Sequence, residues 1–250
     1  MKLFSITCFV FLSLYSLFGQ ESVELRLPSS ETRVFSQAVA TNIKRYRENC
    51  SLAYQTEDLE RAEFLFDSLV NKVLIGTQFD NFRVNNYRSK QTFEFEEFEK
   101  PVYLKTSAVW AEPNDSEIKA FNDMAEEFGD IIDFAILYWD APETIREARK
   151  EFNDNITILY VNELENDNTA VVPILKHSLG LPSIILMDQE RKIINIRKGV
   201  SPTFISTPIS EEVPEFGEFN TPDTEEQFIH SYGIYFDFLT ENITEIIEKM

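Results

Sequence analysis

The sequence predicts an α/β fold: a mixed sheet flanked by helices, opened by a β-hairpin and preceded by a helical hairpin. Two observations carry this prediction. From Gly76 onward, short apolar runs alternate with stretches of helical periodicity, which is the pattern of βαβ units and a mainly parallel sheet. Before Gly76, residues 31–74 show only the three-and-four spacing of amphipathic helices.

In the first helix Phe35, Val39, Ile43, Tyr46 and Cys50 fall on one face. Thr56 is placed to cap the second, with Glu57 and Asp58 in its first turn and a stripe of Leu59, Ala62, Leu65, Leu69 and Val73. Phe79, Phe82 and Val84 then run into Asn85-Asn86, a turn signal, and Thr92, Phe93 and Phe95 resume an extended run, which predicts a hairpin. Lys100-Pro101 opens a buried strand from Val102 to Val109. Asp115 is the expected cap of a helix carrying Ile118, Phe121, Met124, Ala125 and Phe128, ended by Gly129.

Ile131 to Tyr138 reads as the next strand, Pro142 to Phe152 as a helix with proline in its first turn, and Ile156 to Val161 as a short strand. Ala170 to Leu179 reads as a further helix. Ile184 to Met187 and Ile193 to Ile196 form a closing hairpin around Asp188-Gln189-Glu190-Arg191. A charged loop from Ser201 to Thr224 leads to a last helix, Glu225 to Lys249. The closing hairpin predicts an antiparallel edge.

The N-terminus has the three-part pattern of a secretory signal. Lys2 supplies the positive region, Leu3 to Phe18 is uncharged and apolar or small, and Gly19 offers a small residue for cleavage. About 16 residues fall short of the roughly 20 that a membrane span needs. Cys8 lies too early in the apolar run for a lipoprotein. The division expected is therefore a signal over 1–19, a helical region over 20–74 and an α/β domain over 75–250, in a periplasmic or secreted protein with no transmembrane segment after cleavage.

Composition narrows the function. Formal charge is −20, from 43 acids against 23 bases, so phosphates are repelled and nucleic acid is excluded as a partner. Twenty-two Phe and an aromatic share of 13% describe a packed globule. Signal removal leaves Cys50 as the single thiol, which can form no internal disulfide and reads as a small core residue. Two histidines without a tight carboxylate cluster offer no metal site, and seven scattered glycines make no phosphate loop. His177 and Ser178 are neighbours in a helix, where adjacent side chains diverge, so they form no hydrolytic pair. No cofactor is expected.

From Gly76 on, the chain resembles the thioredoxin-like superfamily, in particular the periplasmic TlpA/redoxin type of thiol–disulfide oxidoreductase. The resemblance rests on the order of five features: the β-hairpin, Lys100-Pro101-Val102, Trp110-Ala111-Glu112-Pro113-Asn114 in place of Trp-Cys-x-Pro-Cys, the inserted helix and strand near 142–161, and Gly180-Leu181-Pro182-Ser183-Ile184 in place of the family's cis-proline segment. It implies a cis Leu181–Pro182 bond beside Trp110 and Ala111. It also implies that no catalytic residue survives. The family attacks a disulfide with a thiolate and resolves it with a second thiol, and those positions are Ala111 and Asn114 here. The resemblance thus leads to an exported, inactive oxidoreductase homologue whose residual loop and groove (Trp110, Ala111, Glu112, Pro113, Asn114, Leu181 and Pro182) bind a peptide or an envelope protein. Two alternatives stand beside this. One is an oxidoreductase acting through Cys50 or a partner's thiols; the other is a structural subunit of an envelope complex.

Overall fold

The structure is a computed structural model and describes residues 33–111, 113–146, 151–161, 171–199 and 225–250. The expected signal at 1–19, Glu112 and the charged loop at 201–224 lie outside the described residues.

Two helices come first, α1 (Phe35–Gln55) and α2 (Leu59–Leu69), the latter continued by a π-helical turn over Val70–Leu74. The N-cap of α1 is Val34, whose side chain has no hydrogen-bond acceptor to offer. Asp80 supplies the cap from elsewhere in the chain: its two carboxylate oxygens accept the Ser36 N–H at 2.8 Å and the Ser36 hydroxyl at 2.5 Å. Thr56 does not cap α2, contrary to the sequence expectation. Its hydroxyl turns back to the Leu52 carbonyl at the end of α1, and Asp58 caps α2 by accepting the Arg61 N–H at 2.9 Å. The left-handed φ of 56° at Glu57 forces this break between the helices. Leu59 therefore sits in the uncovered first turn of α2 and is 62% exposed, outside the stripe assigned to it.

The sheet has seven strands: β1 (Val84–Asn86), β2 (Thr92–Phe93), β3 (Val102–Ser107), β4 (Asp133–Tyr138), β5 (Ile156–Tyr160), β6 (Ser183–Met187) and β7 (Ile193–Lys198), in the order β2-β1-β5-β4-β3-β6-β7. Only β3–β4 and β4–β5 pair in parallel. The β1–β2 and β6–β7 hairpins pair antiparallel to their neighbours on either side, so the sheet is less parallel than the strand–helix alternation suggests. Parallel central strands, an antiparallel closing hairpin and a terminal helix make a thioredoxin-like fold.

The first hairpin forms, but Asn85 and Asn86 are not its turn. Both pair as strand, and Asn86 Oδ1 then accepts the N–H groups of Arg88 and Ser89 at 2.9 and 3.1 Å, which moves the turn to the residues after it. Phe95 leaves the extended path for a short 3₁₀ turn, Phe95–Glu97, where the Glu97 carboxylate accepts the Glu94 N–H at 2.7 Å. The helix expected from Pro142 to Phe152 is instead a 3₁₀ turn at Thr144–Arg146, and Phe152 lies in a bend; residues 147–150 are outside the described set.

Helices α1 and α2 with α4 (Val171–Ser178) cover one face of the sheet, while α3 (Asp115–Phe128) and α5 (Glu225–Ile247) cover the other. The first cluster joins Phe35, Val39, Phe66 and Leu74 to Val102, Leu104 and Leu137 without interruption. An aromatic chain ties it together, with Phe35–Phe79, Phe79–Phe95 and Phe82–Phe95 centroids 5.7, 4.9 and 5.1 Å apart. On the opposite face Tyr103 lies against Phe121 and Phe134 at 5.4 and 5.7 Å. Buried Arg191, held at φ 64°, donates from Nε to the Phe95 carbonyl and from Nη1 to the Lys100 carbonyl, so the closing hairpin is pinned to the chain entering β3.

Candidate functional site

The candidate site is built at the carboxyl end of β3. All six residues of this strand are buried between β4 and β6. Beyond Ser107 the chain tightens into a 3₁₀ turn, Val109–Ala111, closed by the Ala111 N–H donating to the Ala108 carbonyl at 2.9 Å. Asp140, in the loop after β4, accepts the Val109 N–H at 2.9 Å, and the Ser107 hydroxyl donates to the Ala111 carbonyl at 3.4 Å. Held this way, Trp110 is 64% exposed. An indole left in water at the tip of a fixed turn is available for contact and contributes nothing to the core.

Helix α3 begins directly after the loop. Its N-cap is Asn114, not Asp115: Asn114 Oδ1 accepts the Glu117 N–H at 2.9 Å, and Asp115 is the first helical residue. Asn114 is extended at ψ 167°, the conformation a cap requires. Its amide nitrogen reaches the Tyr235 hydroxyl of α5 at 3.5 Å. The residue that the sequence resemblance sets at a resolving-thiol position is a helix cap in the structure.

The second loop arrives through β6. The Leu181–Pro182 peptide is cis, as the resemblance implies. Thr106 pairs with Ser183, and their hydroxyls lie 2.7 Å apart. The next register position sets Pro182 opposite Ser107, at the same strand end that bears the Trp110 turn. Gly199 closes against the proline ring: a Cβ there would lie 2.6 Å from Pro182 Cγ, so this close approach requires glycine, and the Gly199 N–H donates to the Pro182 carbonyl at 3.0 Å. Leu181, Pro182, Ala111, Pro113 and Asn114 are all half-buried.

Sequence reasoning missed four contributors: Ser107 and Asp140, which hold the turn, and Lys105 and Tyr235, which lie beneath it. Asp140 and Tyr235 come from distant segments and left no local signal. Lys105 did leave one, as the single charge in the run from Val102 to Val109. Cys50 lies on α1, which packs on the face opposite α3, and is 8% exposed.

No family model and no curated protein matches the chain. Among solved structures it is similar to the thioredoxin domain of a thiol-disulfide oxidoreductase from Bacteroides vulgatus, at 18% identity and a TM-score of 0.43 over 51% of this chain and 91% of that one. It is also similar to the exposed lipoprotein thioredoxin of Streptococcus pneumoniae, at 16% identity and a TM-score of 0.38 over 48% and 90%. A third is the thiol peroxidase of Chromobacterium violaceum, at 19% and 0.37 over 50% and 75%.

Proposed function

We propose that the protein is an exported, non-catalytic binding module that holds an extended segment of a peptide or envelope protein between the Trp110 turn and the Leu181–Pro182 loop. The observation that carries this reading is the fate of the two chemical positions. Ala111 has no nucleophilic atom, and the Asn114 side chain is committed to capping α3. Supporting the reading are an exposed indole on a fixed turn and a cis Leu181–Pro182 loop at the adjacent strand end. Extended segments bind such clefts through main-chain hydrogen bonds, with side-chain pockets adding selectivity. Export follows from the signal-like pattern of Lys2, Leu3 to Phe18 and Gly19.

The test has two arms. Insulin reduction with dithiothreitol as donor should show no acceleration by the protein. A library of extended peptides should yield binders that shift Trp110 emission and lose affinity in Trp110→Ala. Reductase turnover in the wild type, or binders indifferent to Trp110→Ala, would remove this reading.

A further inference from the structure

Strand β3 carries one charged side chain, and it points under the candidate site. Alternation along the strand turns Tyr103, Lys105 and Ser107 toward α3 and α5, while Val102 and Leu104 join the other core. Lys105 Nζ donates to Glu117 Oε1, with the two side chains only 7% and 17% exposed. The cavity beside them is about 20 Å³, room for no more than a single water molecule. The nearby hydroxyls of Tyr103 and Tyr235 are both pushed up, first by burial and then by the Glu117 carboxylate.

These groups form a continuous line of ties from the sheet to the loop. Lys105 holds Glu117 in the first turn of α3. The Glu117 N–H is held by Asn114 Oδ1, and Asn114 is held in turn by Tyr235 on α5. Two positions further along β3, Ser107 holds the Ala111 carbonyl.

Packing alone does not account for the pair. An aliphatic side chain at 105 would fill the same space among Phe121, Ile184 and Leu239 without desolvating a charge, and replacing a buried pair by hydrophobic residues is often neutral or stabilising. What the pair adds is direction, because one ammonium bonded to one carboxylate fixes where the helix's first turn sits over the strand. We infer that Lys105 and Glu117 are positioning residues, a buried charge lock that sets the Val109–Ala111 turn and the start of α3 over the sheet. The inference rests on the binding reading only in taking that loop as the site.

The test needs no ligand: amide hydrogen exchange at Ala111, Glu117 and Ile118, compared with amides of β3 and β4. Lys105→Met/Glu117→Met removes both charges and keeps the space filled. The double variant should melt at or above the wild-type temperature, yet exchange its loop amides about ten-fold faster than wild type, a local opening with the sheet unaffected. Wild-type loop protection in the folded double variant overturns the lock. Should the double variant not fold, Lys105→Arg decides. It keeps charge and donor, so its loop amides should stay protected where those of Lys105→Met open, and equal exchange in the two overturns the proposal. Peptide affinity is then read on the same variants. A loosened loop with unchanged affinity would sink the binding site and leave the lock standing.

Discussion

Asn114 shows how one residue can be read two ways. Set against the family pattern it is a missing thiol; in the helix it is a cap whose oxygen satisfies the Glu117 N–H. Introducing thiols here therefore has a structural cost. Ala111→Cys/Asn114→Cys should lose about 1 kcal/mol of stability in the reduced form, the usual cost of deleting an N-cap, measured by urea unfolding. On oxidation the two sulfurs should bridge, provided the Cα atoms lie within about 4.4–6.8 Å. The double variant should then gain weak insulin reductase activity that the wild type lacks. The gain should be small because acidic neighbours oppose thiolate formation. A variant that cannot form the bridge would mean that the turn does not have the geometry the resemblance implies. The sequence displayed Asn114 and Asp115 side by side, both good caps, and nothing local separates them. In the folded chain Asn114 takes the cap, and its amide reaches the Tyr235 hydroxyl from the far end of the chain.

Helices of this protein are docked by polar contacts that carry testable pH and mutational signatures. Asp80 caps α1 across 44 residues of sequence. Asp80→Ala would orphan both the N–H and the hydroxyl of Ser36, so a loss of about 1–3 kcal/mol is expected, seen as a lowered denaturation midpoint with an unchanged slope. On the other face the Tyr232 hydroxyl of α5 donates to Asp123 of α3 at 2.8 Å. Burial, and after it this hydrogen bond, pushes the Tyr232 hydroxyl from 10.0 up to about 12. A folded value raised above the unfolded one stabilises fully below the unfolded value and is lost as pH rises through the folded one. The α3–α5 contact should therefore weaken between about pH 10 and 12. Tyr232→Phe should make that part of the stability curve shallower, the remaining slope belonging to the raised hydroxyls of Tyr103 and Tyr235, and an identical alkaline limb in the variant would exclude the assignment. Helix positions were legible because periodicity marks buried faces; α1, α3 and α5 lie close to where spacing put them. Their ties were not legible. Asp80, Tyr232 and Asp123 meet only after the chain has folded, and Thr56 and Asp58 compete for one cap at a site decided by the φ of Glu57.

At the scale of the whole molecule the question is whether the helical hairpin and the sheet behave as one body. The sequence breaks near Gly76, where helical periodicity gives way to strands, and that break suggests two units. The packing gives a different expectation. Phe35, Val39, Leu69, Val73 and Leu74 share one cluster with β3, β4 and β7, and the Phe35 N–H donates to the Gln78 carbonyl at 2.8 Å. Removing α1 would uncover the sheet face beneath it, at about 25 cal/mol for each Å² of apolar surface exposed. Two reporters can follow the two parts separately. Cys50 sits on α1 and is buried, and Trp139 follows β4 with its ring against Phe82, centroids 6.4 Å apart. In a Cys8→Ser/Trp110→Phe background each is the single probe of its kind among residues 33–250. Thiol labelling of Cys50 and emission of Trp139 should lose their native signals at the same urea concentration, with labelling slow below it, as a single cooperative unit requires. If Cys50 labels at markedly lower urea while Trp139 stays native, the hairpin opens alone and the shared cluster does not couple it to the sheet.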